Sequence, residues 1–282
     1  MAPKTSSSST LKHQTPAQQL IKVVQTQQFY WFLGHVFAIL FSVLSGLTGL
    51  FYRQKASLRQ YRFALLSIII TYIIVIKQVY FKNGLKQVTV ARLLRDENVQ
   101  YTLFASILYF ASLVTESQVP TSLWSYDIFA VFHVLTYFQN HLLSAFIPSL
   151  QTQQRLNSKI NEFTNKFNQP ALYTASSIEI VMVLTTGAEL ILLPIALILR
   201  WRSFTFCATK VFVFLSVVIF NKLRFDASQY TKSAVSQLEN TFAGYIARIN
   251  NPKLTQLYAS LKAHILNSLK LIQLPKETKK TQ

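Results

Sequence analysis

Acidic residues are scarce in this chain: 10 Asp and Glu stand against 28 Lys and Arg, a formal net charge of +18 over 282 residues. Charged residues of both signs make up only 13%, about half the share usual in a soluble domain. Cysteine is nearly absent, and Cys207 alone excludes an intrachain disulfide and a cysteine-based zinc site. There are five histidines and no histidine box, so His133 and His141 lie too far apart to share a metal on one helical turn. No phosphate-binding loop, dinucleotide fingerprint, zinc-protease motif or nucleophile elbow occurs. No Asn-x-Ser/Thr acceptor marks a lumenal loop, and no internal repeat suggests an inverted-repeat transporter. We expect no catalytic residue, no cofactor and no metal, and read the chain as a non-enzyme.

What is present is apolar surface: 51% hydrophobic residues, 22 of them Phe, and a mean hydropathy of +0.29. Phe29–Tyr52 runs 24 residues without a charge, and at about 1.5 Å per residue it spans the roughly 30 Å hydrocarbon core of a bilayer. Aromatic residues mark both of its ends, as at membrane interfaces. Ser42 and Gly46 sit four apart, a spacing that lets a second helix come close. Phe63–Ile76 is shorter. It could cross, or it could lie as a shallow re-entrant or interfacial segment, and the short hairpin Phe29–Phe81 is expected to occupy more of one leaflet. Tyr101–Thr115, Ile128–Leu150, Ala175–Leu199 and Ser203–Phe220 complete six apolar stretches. Residues 151–172 read as a polar connector closed by Pro170, and Pro194 is expected to kink its helix. The bases fall between and after these stretches, as in loops touching an anionic leaflet, so we expect no direct nucleic-acid binding.

Polar groups within the runs are the intramembrane candidates. His133, Tyr137, Asn140 and His141 share one helical face with Thr136 and Ser144, a pattern that suits interhelical hydrogen bonding or a solute path. No carboxylate joins that stripe, which favours hydrogen bonding. Glu179 and Glu189 lie too far apart around their helix for one tight site. Glu189 sits deeper in its run and has no basic partner nearby in the sequence; intramembrane acids are functional candidates by default.

The chain divides into a disordered polar tail (1–28), a multi-helix membrane domain (29–222) and a basic amphipathic helical region (223–282). In the last, Asp226 can cap a helix whose stripe is Val235, Leu238, Phe242, Tyr245, Ile246 and Ile249. Asn251-Pro252 signals a second helix start. Leu254, Leu257, Tyr258, Leu261, Ile265, Leu269 and Ile272 then gather on one face, with Lys253, Lys262 and Lys270 at its flanks or behind and Lys276, Lys279 and Lys280 beyond. Such a helix lies in the headgroup plane of an anionic membrane or packs on a neighbour. If all six stretches cross from a cytosolic N-terminus, only Arg53, Lys55, Arg59, Arg62, Arg200 and Arg202 face the lumen. A lumenal N-terminus with one crossing fewer satisfies the positive-inside rule as well, and both place residues 221–282 in the cytosol. The fold class is an all-α integral membrane protein with four to six membrane-embedded helices and cytosolic amphipathic C-terminal helices.

Five segments stand out in order along the chain: Tyr61-Arg62-Phe63-Ala64-Leu65-Leu66, Leu93-Leu94-Arg95-Asp96-Glu97 with Tyr101, Phe132-His133-Val134-Leu135-Thr136-Tyr137, Ile178-Glu179-Ile180, and Leu223-Arg224-Phe225 with Ser228. Together they resemble the transmembrane protein 33 family, also called Krüppel homologue 2, which includes fungal pore-membrane proteins. The likeness covers roughly residues 29–250. It implies residence in endoplasmic-reticulum and nuclear-envelope membranes and association with reticulon-type proteins and nucleoporins. For the fungal branch it also implies a basic C-terminal region that meets membrane or an importin-type receptor. The expected function is support of membrane curvature and of nuclear pore assembly or distribution. The alternatives are a small-solute or proton transporter using Glu189 and the His133–His141 stripe, and an adaptor recruiting a receptor through the basic tail.

Overall fold

The computed structural model describes residues 21–81 and 88–274. Most of the expected N-terminal tail, and Lys276, Lys279 and Lys280, lie outside the described residues. Eleven helices are numbered here: α1 (Gln27–Leu50), α2 (Gln54–Ile76), α3 (Val90–Arg95), α4 (Glu97–Thr115), α5 (Thr121–Tyr137), α6 (Leu143–Phe146), α7 (Leu150–Ile191), α8 (Leu193–Ile198), α9 (Phe204–Ala227), α10 (Gln229–Ile249) and α11 (Pro252–Leu269). A π-helical turn extends α2 over Lys77–Phe81, and another extends α5 over Phe138–Leu142. No strand occurs among the described residues.

Helix starts follow local chemistry. The side chains of Thr26, Asp96, Ser149, Ser203 and Asn251 accept hydrogen bonds from the orphan N–H groups of α1, α4, α7, α9 and α11, as small polar caps do. Asn250 takes the left-handed conformation that closes α10, and Pro252 opens α11. The expected Asp226 cap is a correction. Ser228 caps α10, while Asp226 stays inside α9 and pairs with Lys222 at 2.5 Å.

Six helices pack pairwise into a closed ring, in the order α1, α2, α4, α9, α7, α5 and back to α1. Its centre is filled by side chains at 3–4 spacing: Tyr61, Leu65 and Ile68 of α2, Phe104 and Leu108 of α4, and Val213, Val217 and Phe220 of α9. Phe104 stacks on Phe220 with ring centroids 4.5 Å apart. The outer faces are apolar too, with Phe37, Val43, Ile73, Phe110, Val181 and Phe212 exposed. A belt of that kind is unfavourable in water and natural against acyl chains, where the helices satisfy their own backbone.

Four helical stretches are long and apolar enough to cross a membrane: Gln27–Leu50, Gln54–Phe81, Leu150–Ile198 and Phe204–Ala227. The second extends Phe63–Ile76 at both ends to 28 residues, about 42 Å. Both arms of the α1–α2 hairpin therefore match a full crossing, which removes the physical ground for seating it in one leaflet. Ile128–Leu150 is not a single helix. It is divided by the π turn after Tyr137 and by the break at Ile147–Ser149. The polar connector is not a loop either, because residues 150–191 form one helix with Pro170 inside it. Pro194 stands in the first turn of α8, so it opens a new helix rather than kinking an old one.

Candidate functional site

At one end of the ring the start of α1, the end of α2, the start of α4 and the end of α5 enclose a cavity of about 420 Å³. His133, Thr136, Tyr137, Asn140 and His141 line it from α5 and its π turn, so the polar stripe legible in the sequence forms one wall. The other wall was not legible: Trp31 and His35 come from α1, Thr71 and Tyr72 from α2, and Asn98 from α4. The rings of Trp31, His35 and His133 are mutually within 5.0 Å, centroid to centroid. Glu189 is absent from this lining. It sits on the last turns of α7, and the fold brings Lys210 of α9 to it at 2.8 Å, a partner the sequence order hid. The two parts of the transporter alternative therefore do not meet.

Glu179 is the deeply buried acid, 1% exposed, and accepts a hydrogen bond from the Tyr101 hydroxyl at 2.7 Å. Arg224, in the last turns of α9, reaches Glu97 at 2.8 Å, lies 3.8 Å from Glu179 and stands 5.2 Å from the Tyr101 ring centre. At 3.8 Å the Arg224–Glu179 contact is coulombic rather than a hydrogen bond. The Tyr126 hydroxyl donates to the Tyr101 carbonyl at 2.9 Å and ties α5 to the same cluster. Four helices are thus fastened at one buried point. A second polar side chain that sequence reasoning missed is Asp127 of α5, which accepts a hydrogen bond from Ser42 of α1. Among the described residues no group of three or more His, Cys, Asp or Glu could hold a metal ion.

The C-terminal arm leaves the bundle at this end. Thr231 and Ala234 of α10 are buried, with the Thr231 hydroxyl donating to Ser176 Oγ at 3.2 Å and the Tyr230 hydroxyl to Gln169 Oε1 at 2.5 Å on α7. Beyond that contact Phe242, Tyr245 and Ile249 are exposed. Helix α11 buries no residue at all. On its apolar face Leu257 is 56%, Leu261 53% and Ile265 56% exposed, whereas Leu254, Tyr258, Leu269 and Ile272 are half-buried. Lys253 and Lys270 are exposed, and Lys262 bonds Glu239 of α10. That hydrogen bond holds the Lys262 ammonium above its ordinary pKa.

A ring of helices with an apolar outer belt and four stretches long and apolar enough to cross a bilayer defines an all-α integral membrane protein. The chain matches the model of the Transmembrane protein 33/Nucleoporin POM33 family over residues 10–270, and it belongs to that family. It is 31% identical over 251 residues to the Pore and endoplasmic reticulum protein of 33 kDa of Saccharomyces cerevisiae, covering 86% of this chain and 90% of that protein. Tetra-spanning protein 1 of Schizosaccharomyces pombe is 27% identical over 229 residues, 77% of this chain and 75% of its own. Nucleoporin POM33 of Chaetomium thermophilum is 26% identical over 269 residues, 87% of each. No solved structure matches the chain.

Proposed function

We propose that this protein is a non-enzymatic component of endoplasmic-reticulum and nuclear-envelope membranes that supports curved membrane at nuclear pores. In this account residues 228–274 lie on the cytosolic side, and α11 enters the headgroup layer as a shallow wedge. The observation that carries it is the apolar face of α11, on which Leu257, Leu261 and Ile265 stand exposed with Lys253 and Lys270 exposed on the same helix or just past its end. A basic helix with such a face gains apolar burial and anionic-lipid attraction together at a bilayer surface. Burial on one side only expands one leaflet, which favours positive curvature. The relatives' names, nucleoporin and pore and endoplasmic reticulum protein among them, support the pore as the place of action. Partners on this account are the anionic leaflet, nucleoporins and reticulon-type membrane proteins. The bases support the orientation. Arg53, Lys55, Arg59, Arg62, Arg200 and Arg202 lie toward the end of the ring away from the arm, whereas among the described residues Lys77, Arg92, Arg95, Arg155 and Lys222 lie toward the arm.

The test is the location of a fluorescently tagged full-length chain carrying Leu261→Asp with Ile265→Asp. Fully burying each side chain is worth about 1.5–3 kcal/mol, so even partial burial lost at both sites should weaken surface binding at least tenfold. The variant is expected to stay in the endoplasmic reticulum, since the bundle is untouched, and to lose punctate nuclear-rim enrichment. An unchanged rim pattern would remove the wedge from the account. It would favour instead recruitment of a soluble importin-type receptor by the lysines, which the double change leaves in place.

A further inference from the structure

The floor of the cavity between α1, α2, α4 and α5 carries an unsatisfied group. His35 is 5% exposed, and its Nε2 has no hydrogen-bond partner. Buried polar atoms in native folds are nearly always paired, and leaving one unpaired is costly. Trp31 and His133 flank the imidazole with their rings, 4.7 and 4.8 Å away between centroids, without bonding it. Thr71 beside it spends its hydroxyl proton on the Ser67 carbonyl at 2.7 Å. At about 420 Å³ the space falls in the range of ligand sites and far exceeds what one bridging water needs.

We propose that this cavity binds the phosphodiester headgroup of a glycerophospholipid, with His35 Nε2–H donating to a phosphate oxygen. The lining supplies imidazoles, amides and hydroxyls and contains no carboxylate, so an anionic oxygen meets donors and no repulsion. Trp31, Tyr72 and Tyr137 contribute aromatic rings to the lining, the side-chain type that attracts an ammonium or choline group. Across the lining Thr71, Tyr72, His35 and Tyr137 are buried, whereas Gln28, His133, Thr136, Asn140 and His141 are exposed, so the cavity opens at the start of α1 and along α5. Gln28 is the second residue of α1, and His35 lies eight residues beyond the helix start, about 12 Å deeper. The cavity thus runs from the level of the headgroups toward the hydrocarbon, which favours a membrane lipid over a soluble phosphate.

Native mass spectrometry of the full-length protein in detergent tests the site, with phosphatidylcholine, glycerophosphocholine and inorganic phosphate as separate probes. The wild type is expected to retain one phosphatidylcholine. His35→Phe, which keeps the ring and removes the nitrogen, should lower occupancy at least tenfold. Asn140→Leu at the exposed mouth should lower it about threefold, and Glu189→Gln at the far end should leave it unchanged. Equal retention by the wild type and His35→Phe, or no retained lipid in the wild type, would overturn the proposal. So would retention of inorganic phosphate or glycerophosphocholine as tight as that of the lipid, since the site would then belong to a soluble ligand. Should His35→Phe fail to fold, Asn140→Leu decides, and undiminished lipid retention in that variant rejects the site.

Discussion

Arg224→Met is expected to lower the stability of the purified full-length protein by about 3–5 kcal/mol, the usual cost of removing one partner from a buried charge cluster. The loss falls on Glu179. Glu97 is half-exposed, with 53% of its side chain accessible, and can find water again. Glu179 is 1% exposed and keeps only the Tyr101 hydroxyl. Arg224→Lys should recover little, because one compact ammonium cannot replace a planar guanidinium that faces two carboxylates and an aromatic ring. Pairing Arg224→Met with Glu179→Gln should recover most of the loss. The amide still accepts from Tyr101 and carries no charge that needs balancing. Thermal unfolding in detergent, followed by circular dichroism, measures all three variants. A loss below about 1 kcal/mol for Arg224→Met would equate the cluster with an exposed surface pair. The consequence reaches the arm, because Arg224 sits one turn before Ser228, where the chain turns from α9 into α10.

That cluster also marks where sequence reading stops. Tyr101 and Glu179 are 78 positions apart, and periodicity within a helix does not say which helices are neighbours. The segments that carry the family likeness, around Glu97 and Tyr101, around Glu179 and around Arg224, appear scattered in the chain and converge on one buried point. Conversely, what depends on a few adjacent residues was legible. The Asn251-Pro252 start of α11, the uncharged length of α1 and the polar face at His133–His141 all reappear in the structure. Half of the cavity was hidden because His35 lies alone in an apolar run, where no local pattern separates it from a core histidine. Pro170 misled for a tertiary reason. A proline normally interrupts a helix, yet α10 bonds α7 on both sides of it, at Gln169 and at Ser176, and splints the helix through.

The α1–α2 contact supplies the second large effect, Gly34→Ala against Gly46→Ala. A Cβ at Gly34 would stand 2.0 Å from Thr71 Oγ1 and 3.2 Å from Thr71 Cβ, whereas one at Gly46 would meet nothing within 4 Å. The tightest approach of α1 to α2 therefore occurs at Gly34, with a second at Gly49, where a Cβ would stand 3.2 Å from Ser57 Oγ, whereas Gly46 faces no neighbour and Ser42 meets α5 through Asp127. Thr71 cannot yield freely, since its hydroxyl is bonded to the Ser67 carbonyl and a β-branched side chain has few rotamers in a helix. Gly34→Ala should cost about 1–3 kcal/mol, as overpacking does. Adding Thr71→Ala should return most of that, because the atom in conflict is gone. Gly46→Ala should be neutral or stabilising by up to about 1 kcal/mol, the ordinary gain of alanine over glycine inside a helix. Unfolding midpoints of the four chains in one detergent decide the matter. Equal losses at both glycines would mean that small-residue content, rather than the Gly34–Thr71 contact, brings α1 and α2 together, and the cavity floor they share would have lost its positioning device.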